Sequence, residues 1–188
     1  MEKQTGNAMI DKAIDFAVRA HHGQFRKGTR TPFILHPMEV GVIVSKMTSD
    51  EEIISAAFLH DTVEDCPQVT IEQIRDEFGE RVASMVDCES EDKSRTWIER
   101  KSHTIEYLRE TAVREVKYIA LGDKLANIRS MVRDYREVGD ELWNRFNMKD
   151  KKMQGWYYRS VAESLKSLED FPQYQEYKKL VYSLFGES

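Results

Sequence analysis

Cysteine is scarce in this chain. Cys66 and Cys88 are the only two, which gives neither a disulfide framework nor the spacing of a zinc knuckle. Both are expected to be small buried hydrophobes. Long apolar runs are also missing. The strongest, Ile53 to Leu59, contains Ser55 and is far too short to span a bilayer. The opening residues, MEKQTGNAMI, have no apolar core, so no secretory signal is expected and the expected setting is the cytoplasm. There is no basic excess either. Lys plus Arg number 28 against 33 Asp plus Glu, a net charge of −5, with a pI near 5.6. That balance argues against a protein that coats nucleic acid. Repeats, low-complexity tracts and linkers are absent, and strand-like alternation is rare.

What the chain has is helical periodicity over a 188-residue length that suits one domain. Ile10, Ile14, Ala17, Val18 and His21 fall on one stripe. A short apolar helix is expected from Met38 to Met47, with Pro37 suited to a first turn. Glu51 to Asp61 is apolar nearly all round and is expected to be the central buried helix, ended by Pro67. Thr70 with Gln73 reads as a capping box, Gly79 as a stop, and Glu80 to Val86 as the next helix. Cys88 to His103 reads as a charged loop leading into a helix. A long helix is expected from Thr111 to about Arg133. The last 48 residues carry ten of the nineteen aromatics, with Met153, Tyr157, Val161, Ala162 or Leu165, and Leu168 on one stripe. They are expected to wrap the core, with a second subunit, and so a homo-oligomer, as the alternative. The expected class is all-α, a single helical bundle over residues 1–188.

The chemistry concentrates at a few anomalies. His60 and Asp61 stand at the end of the most apolar helix, where an unpartnered charge is costly. Glu64 and Asp65 follow three and four residues after Asp61, so three carboxylates share one helical face and repel. A bound cation is the simplest compensation. Asp123 lies on the apolar stripe of Val116, Ile119 and Ala120, with Asn127 one turn later. A buried Asp paired with an Arg and a metal ligand are equal readings there. His36, before Pro37, carries little weight alone. Together, two imidazoles and two carboxylates make a nitrogen–oxygen site suited to Mn²⁺, Fe²⁺ or Zn²⁺. From Phe16 to Met38 there is no acidic residue, while Arg19, His21, His22, Arg26, Lys27, Arg30 and His36 are present. This is either a solvated basic loop or a phosphate-binding patch, and Gly23 and Gly28 would let it approach a ligand.

The strings AHHGQFRKGTRTPFILHP, AAFLHDTVED and LGDKLANIRS together resemble the HD-type hydrolase domain of the RelA/SpoT homologues, at the size of the stand-alone alarmone hydrolases. The resemblance implies an all-α HD fold, usually Mn²⁺, and removal of pyrophosphate from the ribose 3′ position of guanosine tetra- and pentaphosphate. By position it implies His36, His60, Asp61 and Asp123 as metal ligands and Glu64 and Asp65 as the acidic pair that handles the attacking water. It places Arg26 and Lys27 beside the nucleotide and Asn127 and Ser130 along the nucleoside pocket; Lys93, Arg100 or Lys101 is expected to add a further phosphate contact. The partner is then a small phosphorylated nucleotide, with no nucleic acid and no membrane. The charged stretch from Cys88 to His103 is expected to close over the substrate.

This sequence departs from the family pattern at Ala120, Gly122 and Ala126, and in the run Glu89 to Lys93. Those departures keep alternatives in view. One is the same chemistry on the 2′-phosphate of NADPH or on adenosine 3′-pyrophosphates. Another is a non-catalytic, nucleotide-sensing HD domain, against which the intact Glu64–Asp65 pair speaks. The last is a helical scaffold with no site.

Overall fold

The computed structural model describes residues 8–88 and 94–186. Apart from one isolated antiparallel bridge between Phe25 and Pro32, the regular structure among them is helical, so the all-α expectation holds. The chain gathers into two compact units, Met1–Arg26 with Arg30–Ser90, and Lys27–Thr29 with Glu91–Ser188.

In the first unit, α1 (Ala8–Ala20) buries Ala13, Phe16, Ala17 and Ala20. The expected stripe is rotated. Of the expected residues Ala17 and His21 are buried, Ile10 and Ile14 half-buried and Val18 46% exposed, so the inward face is shifted toward Ala13, Phe16 and Ala20. Next, α2 runs Leu35–Val44, three residues earlier than expected. Pro37 lies inside its first turn, where a missing N–H costs nothing because that donor has no helical partner. His36 is therefore a helical residue rather than part of a loop.

The central helix is α3, Glu51–Leu59, and every residue from Ile53 to Leu59 is buried. Asp50 caps it, its Oδ1 accepting from the backbone N–H of Glu52 at 3.0 Å and of Ile53 at 3.4 Å. This helix stops two residues before the expected end at Asp61. The Thr62 hydroxyl donates to the Leu59 carbonyl at 2.6 Å, and a single turn, α4 (Thr62–Asp65), follows before Pro67. Helical spacing survives the break, because the Asp65 N–H donates to the Asp61 carbonyl at 2.9 Å.

Helix α5 (Ile71–Phe78) is capped by Thr70, which accepts from Gln73 N–H. The reciprocal half of the expected box does not form; the Gln73 side chain bonds Glu77 at 3.3 Å instead. Gly79, at φ 89°, ends the helix as expected, and α6 (Glu80–Asp87) follows. Helix α3 packs against α1, α2 and α6. The α2–α3 contact is very close: a Cβ added to Gly41 would lie 2.3 Å from the Phe58 ring.

In the second unit, α7 (Trp97–Glu110) opens with a complete capping box between Thr96 and Glu99. Its residues 97–103 were expected in the charged loop. Thr96-Trp97-Ile98-Glu99 is itself a helix-start pattern, obscured by the charge around it. Residues 89–93, including Lys93, the altered run and the middle of the expected lid, lie outside the described residues. The long helix is α8, Arg114–Val138, beginning and ending later than expected. A 3-10 segment, Gly139–Arg145, leads to α9 (Lys151–Ser164) and α10 (Pro172–Phe185). Helix α10 packs on α8 and α9, and α9 on α7. The C-terminal aromatics are core within this unit: Tyr157, Tyr158, Tyr174 and Tyr177 are all buried. The Tyr174 hydroxyl donates to the Ala162 carbonyl at 3.0 Å and the Tyr177 hydroxyl to the Tyr158 carbonyl at 2.9 Å. Among the described residues no helix is long and apolar enough to cross a membrane.

Candidate metal centre

His36 and His60 are both buried, the first in the opening turn of α2 and the second at the end of α3. Because α2 and α3 meet at Gly41, their imidazoles come together with ring centroids 5.3 Å apart. Asp61, the next residue, projects between them. Its Oδ2 lies 3.4 Å from His36 Nε2 and 3.2 Å from His60 Nε2. One donor atom from each of the three residues falls within 4.8 Å of the others.

The protonation of His60 can be argued from its other nitrogen. Nδ1 is 2.8 Å from the Ala57 carbonyl oxygen. A carbonyl only accepts, so Nδ1 carries a proton, and in the neutral ring Nε2 carries the lone pair. That lone pair then faces a carboxylate oxygen that His36 Nε2 also faces. Electron-rich atoms at such distances repel unless positive charge lies between them. A bound divalent cation would supply it. Burial alone would raise the Asp61 carboxyl, but the positive imidazoles of His60 and His36 and their hydrogen bonds hold it well below the usual carboxylate range. The donor set of two nitrogens and one oxygen, with one imidazole oriented by a backbone carbonyl, fits a transition-metal ligand group.

The acidic pair follows directly. Glu64 is half-buried and Asp65 exposed, both on α4 one turn beyond Asp61. Two groups that the sequence did not single out for this region hold α4 in place. Gln24 Nε2 donates to the Asp65 carbonyl at 2.9 Å, and Gln24 Oε1 accepts from His21 Nδ1 at 2.8 Å. His21 is 2% exposed and tilts over Phe33 at 4.9 Å, whose ring meets the edge of His36 at 5.8 Å. The only advance signal was His21 on the apolar side of α1.

The basic stretch is ordered at its base. Arg26 N–H donates to Thr31 at 2.9 Å, and the Arg26 guanidinium lies 5.6 Å from the centre of the Phe33 ring. Lys27 is exposed. It belongs to the second unit, where Gly28, at φ 70°, sits against Arg145 so closely that a Cβ would lie 2.7 Å from its side chain.

Asp123 is in the second unit, on α8, and only 6% exposed. Its carboxylate takes the Lys124 ammonium and the Asn127 amide at 2.5 Å. The stripe reading was correct in placing it inward. Ser130, one turn after Asn127 on α8, accepts from Arg133 at 3.1 Å. Ala120, Gly122 and Ala126, where the sequence departs from the family pattern, are all buried on α8.

A family model described as HD domain matches residues 13–150. The guanosine-3′,5′-bis(diphosphate) 3′-pyrophosphohydrolase MESH1 of Xenopus tropicalis is 33% identical over 164 residues, covering 86% of this chain and 85% of that protein. MESH1 of Mus musculus is 35% identical over 172 residues, covering 90% and 89%. Among solved structures, lmo0812 from Listeria monocytogenes EGD-e has a TM-score of 0.73 at 34% identity, covering 81% of this chain and 99% of that one. A metazoan ortholog of SpoT, described as hydrolysing ppGpp, has a TM-score of 0.76 at 26% identity, with 94% of each chain covered. With a family match across most of the chain and relatives similar along nearly their whole length, this chain belongs to the HD-domain family, among the RelA/SpoT homologues that include MESH1.

Proposed function

We propose that the chain is a metal-dependent 3′-pyrophosphohydrolase acting on guanosine 3′,5′-bis(diphosphate) and its pentaphosphate counterpart. The observation that carries the chemistry is the convergence of His36, His60 and Asp61 on one point, with His60 held in the tautomer that aims its lone pair there. The named activity of the similar MESH1 proteins carries the choice of substrate. His36, His60 and Asp61 would hold the ion, and Asp123 is assigned as the fourth ligand on its motif alone. The ion is proposed to be Mn²⁺, consistent with the mixed nitrogen and oxygen donors. When bound, it supplies Lewis acidity toward water and toward a phosphoryl oxygen.

One of the pair Glu64 and Asp65 orients the attacking water or takes its proton, and the water oxygen adds to the phosphorus on the ribose 3′ oxygen. The P–O3′ bond breaks, pyrophosphate leaves and the 3′ oxygen takes up a proton. Arg26, Lys27 and Lys93 neutralise the remaining phosphates, while Asn127 and Ser130 line the nucleoside side. We treat the two units as one HD domain because the family match runs across both. Both cysteines are free thiols, Cys66 buried as expected and Cys88 exposed against expectation; the cytoplasm remains the proposed setting.

The test is chromatographic product analysis with Mn²⁺, offering guanosine 3′,5′-bis(diphosphate), adenosine 3′-pyrophosphates and NADPH separately. Pyrophosphate release from the guanosine compound, abolished by a chelator, is the expected result. Turnover of another compound alone would retain the metal chemistry and refute the substrate. The buried positions of Ala120 and Ala126, each 1% exposed, suit a packing role for these departures and so favour the guanosine reading.

A further inference from the structure

Helix α4 is a single turn of four residues. A turn that short cannot hold itself in water, because nucleation fixes several dihedrals for one hydrogen bond. Its last carbonyls also lack helical partners. Yet it carries Glu64 and Asp65, whose placement decides where a proton can be accepted. Something outside the turn must fix it.

At its start, the Thr62 hydroxyl bonds the Leu59 carbonyl, which ties it to α3. At its end, Gln24 Nε2 donates to the Asp65 carbonyl at 2.9 Å. The orientation of that amide is determined by chemistry. An oxygen in place of Nε2 would face the carbonyl oxygen of Asp65, so Nε2 faces Asp65 and Oε1 faces His21 Nδ1 at 2.8 Å. His21 is buried, and its Nδ1 also lies 3.4 Å from the buried Cys66 Sγ. The backbone of Gln24 is fixed as well: its N–H donates to the His21 carbonyl at 3.1 Å and its carbonyl accepts from Phe33 N–H at 2.9 Å. Gln24 thus sits at the base of the Phe25–Pro32 bridge with both ends of its amide engaged. A second glutamine, Gln68, closes the turn after α4 in the opposite direction, donating to the Ala20 carbonyl at 3.0 Å.

We infer that Gln24 is a positioning residue for the acidic pair: its amide N–H, aimed by His21, clamps the end of α4 and sets the place of Glu64 and Asp65. Gln68 is a tether of similar length whose hydrogen bond goes to α1 rather than to α4. The inference rests on the reading of Glu64 and Asp65 as the groups that handle water.

The experiment compares Gln24→Met, Gln24→Glu and Gln68→Met. Met keeps the bulk of Gln24 and loses its hydrogen bonds to His21, the Asp65 carbonyl and Cys66 Sγ. Glu keeps an acceptor for His21 but sets a carboxylate against the Asp65 carbonyl. Two readouts are taken. Amide hydrogen exchange at Asp65 and Cys66, whose N–H groups close α4 onto Asp61 and Thr62, should speed up about tenfold or more in both Gln24 variants, with α5 unchanged. In Gln68→Met those two amides should keep their protection. Turnover of guanosine 3′,5′-bis(diphosphate) should lose about tenfold or more in kcat in both Gln24 variants, with KM and bound-metal content held, and should stay at the wild-type level in Gln68→Met. Unchanged exchange at Asp65 and Cys66 in Gln24→Met overturns the clamp. So does a full kcat in Gln24→Met with loosened exchange, because the acidic pair would then not depend on it. Equal losses in Gln68→Met would also overturn it, reducing both glutamines to general stability. If the wild type turns over no guanosine compound, the functional reading fails, and the exchange data still decide whether Gln24 holds α4.

Discussion

The two units bury polar groups in different ways. In the second, the buried Tyr174 and Tyr177 hydroxyls are answered by backbone carbonyls, those of Ala162 and Tyr158. Burial pushes the Tyr177 hydroxyl well above its ordinary range, so it remains a donor at any working pH. In the first unit, His36, His60 and Asp61 answer one another, and they do so only if positive charge lies among them. The Tyr174 and Tyr177 hydroxyls, each reaching one backbone carbonyl inside the core, serve packing. Polar groups that converge on a shared point are prepared for something the chain does not supply.

The largest effect that tests this contrast is Asp61→Ala. It should abolish metal binding, read by metal analysis of the purified protein, and with it nearly all turnover. Full metal content would remove Asp61 from the ligand set. Glu64→Ala sharpens the contrast inside the first unit. It should keep the metal and lose kcat by about a hundredfold or more, and wild-type kcat would remove Glu64 from the mechanism.

Gly41→Ala comes next. Its Cβ would meet the Phe58 ring at 2.3 Å, and the overpacking should cost about 1–3 kcal/mol in denaturant unfolding. No loss would mean that α2 and α3 separate freely. On the other side, Tyr177→Phe should cost about 1 kcal/mol and leave metal content untouched. Any change in metal content would break the division between packing and site.

The smallest effect is electrostatic. Burial would raise the Asp50 carboxyl, but the Arg81 hydrogen bond and the backbone N–H groups of Ile53 and Glu52 hold it below its ordinary value. Its folded value is thus below its unfolded one. The stability it adds is complete above the ordinary carboxylate range and fades as pH falls through the folded value. Asp50→Asn keeps an N-cap of similar quality and removes only the charge. Wild type and variant should differ by less than about 1 kcal/mol near neutrality and converge in acid. A gap that widens in acid would reverse the assignment.

Much of this was legible in the residues. His60-Asp61 stood out because ionisable groups ended the most apolar helix, and Asp123 because its neighbours on the stripe were apolar. Both are signals of period and burial, which a sequence carries directly. The parts that were missed depend on distance in the fold. Helix α2 begins early because Pro37 fits the first turn as well as the position before it, and spacing cannot separate the two. The inward face of α1 is shifted toward Ala13, Phe16 and Ala20. Gln24 left no signal at all, since a half-exposed glutamine in a basic loop is ordinary until its partner, 41 positions away in sequence, is known.

The missing side chain at Gly41 has a consequence of scale. Gly41 lies five positions after His36 and Phe58 two before His60, so the close approach at Gly41 also brings the two imidazoles near each other. Variants of increasing size at position 41 are expected to widen that spacing before they unfold the protein, and any ion held there would then be gauged by a residue that need not touch it.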